Sequence, residues 1–349
     1  MTMMIADKLR KSILQAAIQG KLTEQLPTDG DARELLEKIR AEKQRLIKEK
    51  KIKKESQLPA ISDEEIPFDI PDNWCWCRLG DCAFTINDGT HSRPHYTTNG
   101  IPFLSVKDMS NGHLDFRNTK FISQKDHDEL KKRCFPQYND LMITKVGTTG
   151  IPVLVDTYEE FSLFVSVALI KYPQNLIYPK FLQIVINSPF VQKQVENSTK
   201  GVGNKNWVIR DIKNTVIILP PFDEQLRIVE KVDELMTELN SLEKDEQILN
   251  QLQNDFPKRL KSSLLQAAIQ GKLTEQLPDD GDARDLLKSI QQEKEKLIKE
   301  KKLKPEKPLP PISDDEIPFD IPDNWCWVRL GTIIKLLSGQ DFIPQRMCQ

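Results

Sequence analysis

The sequence contains no apolar run approaching the roughly 20 residues that a membrane-spanning helix needs, and Met1 to Lys8 lacks the apolar core of a signal peptide. Those absences point away from a membrane and to a cytoplasmic location. There is no Cys-x-x-Cys pair, and none of the six cysteines (Cys75, Cys77, Cys82, Cys134, Cys326, Cys348) has a histidine at zinc-ligand spacing. They are expected to be reduced, mostly buried thiols. Also missing are a glycine-rich cofactor loop, a P-loop, a metal-spaced histidine cluster and a Ser/His/Asp arrangement. Gly147-Thr148-Thr149-Gly150 is too short for a phosphate cradle and reads as a turn. The residues therefore predict no catalytic group, no metal and no cofactor. A formal net charge of −2 argues against an indiscriminately basic nucleic-acid binder.

What the chain does contain is part of itself twice. Leu14 to Pro27 reappears unchanged as Leu265 to Pro278, an offset of 251 residues that holds through Ile66 to Trp76, matched by Ile317 to Trp327. Solenoid repeats run at about 20 to 50 residues, so each copy is expected to be a whole domain with its connecting helices. The position of Cys77 is Val328 in the second copy, which favours a packing role for that thiol.

Periodicity supplies the elements. Leu9, Ile13, Ala16 and Ala17 share one face of a helix from Asp7 to Gly20, and a charged helix is expected from Asp31 to Lys54, then a proline-punctuated linker from Leu58 to Pro71. Short apolar runs at Ile101–Val106, Leu141–Ile143, Ile151–Val155, Val165–Ile170 and Val216–Leu219 read as strands, and Phe181 to Asn197 as one helix across Pro189. Pro220-Pro221 closes that domain. From Phe222, Ile228, Val232, Leu235, Leu239, Leu242 and Leu249 step by threes and fours along a coiled-coil seam, with Glu246 as a polar interruption and a kink expected at Pro257. A narrow seam needs a mate, and a second copy of the same helix would make the pair a rigid spacer. The expected fold class is α+β, a globular mixed α/β domain with long coiled-coil-forming helices. The expected divisions are an N-terminal helix (1–26), a charged helix and linker (27–65), the globular domain (66–221), the spacer and repeated helix (222–276), a repeated charged helix and linker (277–316), and the start of a second globular domain (317–349).

Leu219-Pro220-Pro221-Phe222 is similar to the Asn/Asp-Pro-Pro-aromatic motif of amino methyltransferases, but leucine cannot accept the hydrogen bond of a target amino group. A wider resemblance rests on Trp76-Cys77-Arg78-Leu79-Gly80-Asp81, Asp88-Gly89-Thr90-His91, Gly100 to Asp108, Asp140-Leu141-Met142-Ile143, Ser166-Val167-Ala168, Leu219 to Val229, and the repeated helix motif Leu14 to Thr23. Several motifs in order over most of the chain resemble the DNA-specificity subunit of Type I restriction-modification systems. In that family two target-recognition domains alternate with helical regions. The resemblance implies a subunit without catalysis that reads one half of a split site in double-stranded DNA and docks adenine methyltransferase subunits. A restriction subunit would join through the complex, and S-adenosylmethionine and ATP would belong to the partners. By the same resemblance the chain is expected to be truncated early in the second recognition domain, and a self-dimer through Ile228, Val232, Leu235, Leu239, Leu242 and Leu249 would supply the missing mate. The alternative is a truncated regulatory or inactive fragment that binds methyltransferase subunits without reading a full site.

Phosphate contacts set affinity and base edges set specificity, so candidate DNA residues are cations, amides and hydroxyls in polar loops. Asp81 to Pro220 is mildly basic and holds all four histidines: His91, His95, His113 and His127. Three clusters stand out within it. The first is the glycine-containing stretch Thr199 to Trp207, with Lys200, Asn204, Lys205, Asn206 and Trp207, followed by Arg210. The others are His91, Ser92, Arg93, His95 and Tyr96, and the turn residues Lys145, Thr148 and Thr149. For each, an ordinary solvated loop is the competing structural reading.

Overall fold

The computed structural model describes residues 5–199, 205–305 and 307–334. It divides into two compact units, residues 1–247 and 248–349. Helices α1 (Ile5–Ile18) and α2 (Ala32–Lys48) open the first unit, followed by β1 (Cys75–Arg78), α3 (Leu79–Cys82), β2 (Thr85–Asp88), β3 (Tyr96–Thr97), β4 (Ile101–Leu104), β5 (Lys120–Ile122) and α4 (Gln124–Leu130). Then come β6 (Leu141–Thr144), β7 (Pro152–Leu154), β8 (Ser162–Leu163), β9 (Val167–Lys171), α5 (Pro179–Asn187), α6 (Pro189–Ser198), α7 (Ile209–Asn214), β10 (Val216–Leu219) and α8 (Phe222–Ile269). The second unit takes the end of α8 and adds α9 (Ala283–Lys299) and α10 (Leu330–Ile333). The fold is of the mixed α+β kind expected.

Two four-stranded sheets, ordered β2-β9-β6-β7 and β3-β5-β4-β8, form the globular part, and β1 pairs antiparallel with β10 as a separate ribbon. The five runs expected to be strands form β4, β6, β7, β9 and β10. The helix expected from Phe181 to Asn197 is two helices. Ser188, held extended by the following Pro189, ends α5, and its hydroxyl accepts from the Val191 amide to begin α6. No described helix is long and apolar enough to cross a membrane.

The repeated segment folds as a clasp. Buried Arg78 donates to both carboxylate oxygens of Glu65 (2.8 and 2.9 Å), to the carbonyls of Pro59 and Ala60 in the linker, and to that of Asn214. Phe68, Trp76 and Phe190 then pack as an aromatic triangle with centroids 5.1 to 5.5 Å apart. In the second unit Arg329 grips Glu316, Pro310 and Pro311 in the same way, and Phe319 packs on Trp327 at 5.1 Å.

The start of α8 joins the clasp to the sheets. Glu224, fully buried, accepts from the Trp74 indole Nε1 (2.7 Å), the Gln25 amide (2.8 Å) and the Thr23 hydroxyl (3.2 Å). One turn on, Arg227 donates to both oxygens of Asp29. The far end of α1 is fixed as well: the backbone N–H groups of Ile5 and Ala6 donate to Glu246 at 2.8 and 3.1 Å, and Arg10 pairs with Glu243 at 2.8 Å. Thus α1 runs opposite to α8 along its length, and Glu246 caps orphan amides at a helix N-terminus.

This contact corrects the expectation of an empty seam. Ile228, Val232 and Leu239 are 0%, 3% and 4% exposed, so the chain itself supplies their cover, and Ile228 and Val232 share one core with Ala17 and Ile18 of α1. Leu235 is half-buried, whereas Leu242 and Leu249 remain exposed. Replacing Glu224 with alanine should cost about 1 to 3 kcal/mol for the stranded indole N–H alone. Glu224→Gln, which keeps one acceptor, should lose less. Denaturant midpoints measure both, and an unchanged midpoint for Glu224→Ala would remove this carboxylate from its central place.

Candidate nucleic-acid interface

The end of β2 and the loop after it set the geometry. A Cβ on Gly89 would lie 2.0 Å from the Leu163 carbonyl oxygen, so only glycine lets this backbone approach β8. With that approach made, Thr90 N–H donates to Leu163 O (2.9 Å) and Val165 N–H to Thr90 O (3.0 Å), which carries His91, Arg93 and His95 across to the second sheet.

Lys145 ties the three sequence clusters together. Its N–H donates to Ser166 O at 2.9 Å, and its carbonyl accepts from Trp207 N–H at 2.8 Å. One residue on, Val146 forms a bridge with Asn206, and Gly147 N–H donates to Lys205 O at 3.0 Å. The turn is completed by Gly147 and Gly150 at φ +78° and +84°, a left-handed conformation that side chains resist. The Lys145 ammonium reaches back to Asp88 at 2.7 Å, where Arg133 (2.6 Å) and His91 (3.3 Å) also converge. Burial pushes the Asp88 carboxyl up, but the hydrogen bond and charge of Lys145, aided by His91 and Arg133, outweigh burial and leave it below its ordinary value.

The structure sorts the sequence candidates by exposure. His91, Arg93, His95, Thr148, Lys205, Asn206 and Arg210 are exposed and Thr149 is half-buried, while Lys200 and Asn204 lie outside the described residues. Two candidates belong to the interior. The Trp207 side chain is fully buried in the core, and Lys145 is 5% exposed, its charge taken up by Asp88. Both hold the surface in place from below, and neither presents its side chain to a duplex. Arg210, although exposed, has Asp211 as a neighbour at 3.1 Å.

Beside the β6–β7 turn lies a cleft of about 540 Å³ lined by Arg93, Tyr96, Lys107, Asn118, Lys120 and Val146, with Phe103 and Phe164 among its apolar residues. Lys107, Asn118 and Lys120 escaped the sequence reading because each is a single polar residue among apolar or turn neighbours, Lys107 in the short helical turn after β4, Asn118 in the turn before β5 and Lys120 at the start of β5. Asn118 and Lys120 are near neighbours in sequence, and the pairing of β5 with β4 brings Lys107 to them. Elsewhere, fully buried His127 bonds Ser162 Oγ (2.9 Å) and Glu160 (2.8 Å), the outline of a nucleophilic triad. Ser162, the first residue of the edge strand β8, is 1% exposed, so no substrate carbonyl can reach it, and the trio serves to fasten α4 to β8. Burial pushes the Cys75 and Cys134 thiols up to about 12, which suits inert packing groups. Among the described residues no group of three or more His, Cys, Asp or Glu is placed to hold a metal ion.

Residues 71–254, which contain this surface, match the family model described as the Type I restriction modification DNA specificity domain. The chain belongs to that family. Its relatives in Escherichia coli include the Type I restriction enzyme EcoAI specificity subunit, 33% identical over 96% of this chain and 63% of the relative. Another is the EcoEI specificity subunit, 32% identical over 95% of this chain and 62% of the relative. The chain thus spans less than two thirds of the length of these relatives. Among solved structures, the HsdS subunit from Thermoanaerobacter tengcongensis aligns with a TM-score of 0.41 at 20% identity, covering 77% of this chain and 56% of that one.

The buried Lys145–Asp88 pair has a thermodynamic signature. Asp88→Asn strands an ammonium and should destabilise the fold by about 3 to 5 kcal/mol, whereas the double replacement Asp88→Leu with Lys145→Met should recover most of that loss. Because the native Asp88 carboxyl sits below its unfolded value, its stabilising contribution is present above the unfolded pKa. It fades as pH falls through the lower folded one. Thermal denaturation of the three proteins at neutral and acid pH checks both statements.

Proposed function

We propose that this chain is the DNA-recognition part of a Type I restriction-modification assembly, reading one half of a split double-stranded site. The observation that carries this reading is the convergence of three loops far apart in sequence, residues 88–96, 145–149 and 205–210, on one face inside the region matched by the family model. Lys145 and Asp88 fix the loops from within, which leaves Arg93, His95, Thr148, Lys205 and Asn206 directed outward with their polar groups in solvent.

On this reading the chain performs no catalysis and holds no cofactor. Adenine methyltransferase subunits dock on its helices and on the recognition domain, a restriction subunit joins through the complex, and S-adenosylmethionine and ATP are used by those partners. Self-association would use α8 residues that the chain leaves open, Leu242 in the first unit and Leu249 in the second. A second reading is a regulatory or inactive protein that binds methyltransferase subunits through its helices without reading a site.

Gel shifts with and without methyltransferase subunits separate the two readings: a recognition subunit retards duplex DNA in a sequence-dependent way, and a mere scaffold does not. Lys205→Ala should weaken binding to every duplex and flatten the dependence of log K on log salt by about 0.9, one released counterion. Asn206→Ala should instead cost about 1 to 3 kcal/mol on the preferred duplex alone if its amide meets a base edge. Sedimentation should show a dimer at micromolar concentration that Leu249→Asp converts to monomer; a monomeric parent chain would end the self-association proposal.

A further inference from the structure

Charge pairing inside the globular part is uneven. Most of the cationic side chains described between Leu79 and Pro221 have a carboxylate within ion-pair distance, among them Arg117, Lys132, Arg133 and Lys171. Five have none: Arg93, Lys107, Lys120, Lys125 and Lys205. Three of the five line the same cleft, and a fourth, Lys205, bonds through its backbone to the turn that carries the cleft residue Val146. Two carboxylates, Asp108 and Asp115, line the same cleft, and both are engaged by other groups of the chain. Asp108 accepts from the Ser105 hydroxyl and amide and from Thr119, and Asp115 accepts from the Arg117 guanidinium and amide. A chain with nearly balanced charge has therefore left its cations without internal partners chiefly around one depression. That pattern suits a polyanion.

The wall of the cleft adds a second kind of recognition. The Lys120 ammonium lies 4.2 Å from the centroid of the exposed Tyr96 ring, which packs on Phe103 at 6.0 Å, so the lysine is held in place by a ring face and keeps its N–H donors available. Exposed Asn118 stands on the same rim, and its side chain makes no hydrogen bond to any other described residue. A carboxamide both donates and accepts, and a base edge reciprocates both, whereas a phosphate only accepts.

We propose that this cleft is the base-reading centre of the recognition surface, with Asn118 a specificity-determining residue and Lys107 and Lys120 holding the flanking phosphates. The proposal rests on the DNA-reading function above and extends it to residues outside the three sequence clusters. The division of labour follows from the chemistry: the amide discriminates between bases, while the ammonium groups contribute similarly to any sequence.

The test is selection by the full chain, with and without methyltransferase subunits, from a pool of duplexes with a randomised core, followed by binding of the selected duplex and a scrambled one. The parent chain should enrich a defined motif. Asn118→Ala should lose the preference at one or two positions and bind the selected duplex about 5- to 150-fold more weakly, with the scrambled duplex unaffected. Lys107→Met and Lys120→Met should enrich the parent motif but weaken both duplexes and each lower the salt slope by about 0.9. Lys125→Met, altering the one unpaired cation on α4, should behave as the parent. Tyr96→Phe should retain binding and Tyr96→Ala should resemble Lys120→Met, with thermal midpoints confirming that each variant is folded. A parent chain that enriches no motif in either condition overturns the DNA-reading function and this proposal with it. A parent that enriches a motif which Asn118→Ala, Lys107→Met and Lys120→Met reproduce at full affinity overturns the cleft alone.

Discussion

A single buried carboxylate, Glu224, holds the first unit together. It sits in the first turn of α8, where the unpaired amides of the helix N-terminus favour negative charge, and it gathers donors from Thr23, Gln25 and Trp74. Its neighbour Gln225 faces the other way, accepting from Tyr178 N–H at 2.8 Å and donating to Pro220 O at 3.0 Å. Two consecutive side chains thereby bind the N-terminal clasp on one side and the sheet domain on the other. An apolar pair at these positions could pack, but it would leave a buried indole N–H and a buried backbone amide without acceptors. The placement of the sheet domain against the N-terminal helices follows from this junction.

How much of this was visible beforehand depends on the range of the interactions involved. The strands β4, β6, β7, β9 and β10 could be seen because β-branched and apolar runs act locally, and the repeat could be seen by comparing the chain with itself. Long-range pairing was hidden. Lys145 reads as an exposed cation in a polar turn, and only the arrival of Asp88, through the pairing of β2 and β6 with β9, turns it into an interior strut. Trp207 had the same fate, since its polar neighbours suggested a surface loop while its ring enters the core. Glu246 looked like a flaw in an apolar seam, and its purpose appears when the amides of Ile5 and Ala6, some 240 residues away in sequence, come to meet it.

The placement of charge separates structure from surface. Where cations serve the fold they are matched: Arg78 to Glu65, Lys171 to Asp140, Lys213 to Glu55. Around the cleft they are not, although two carboxylates stand close by and are engaged elsewhere. Net charge alone conceals this. A value of −2 describes a chain whose acidic surplus lies largely on its helices and linkers, and it says nothing of the local field a ligand would meet.

The double attachment of α1 to α8 makes the two helices mutual gauges. Between the clamps at Glu224 and Glu246 lie 22 helical steps, about 33 Å of axis, and α1 with the turn after it must span the same distance. One residue gained or lost from either helix would displace the far clamp by about 1.5 Å and turn it by about 100°, so that the carboxylate would point away from the amides it caps. A whole turn added to one helix would restore the direction but shift the clamp by about 5.4 Å, so lengths in this part of the chain are free to change only in both helices at once.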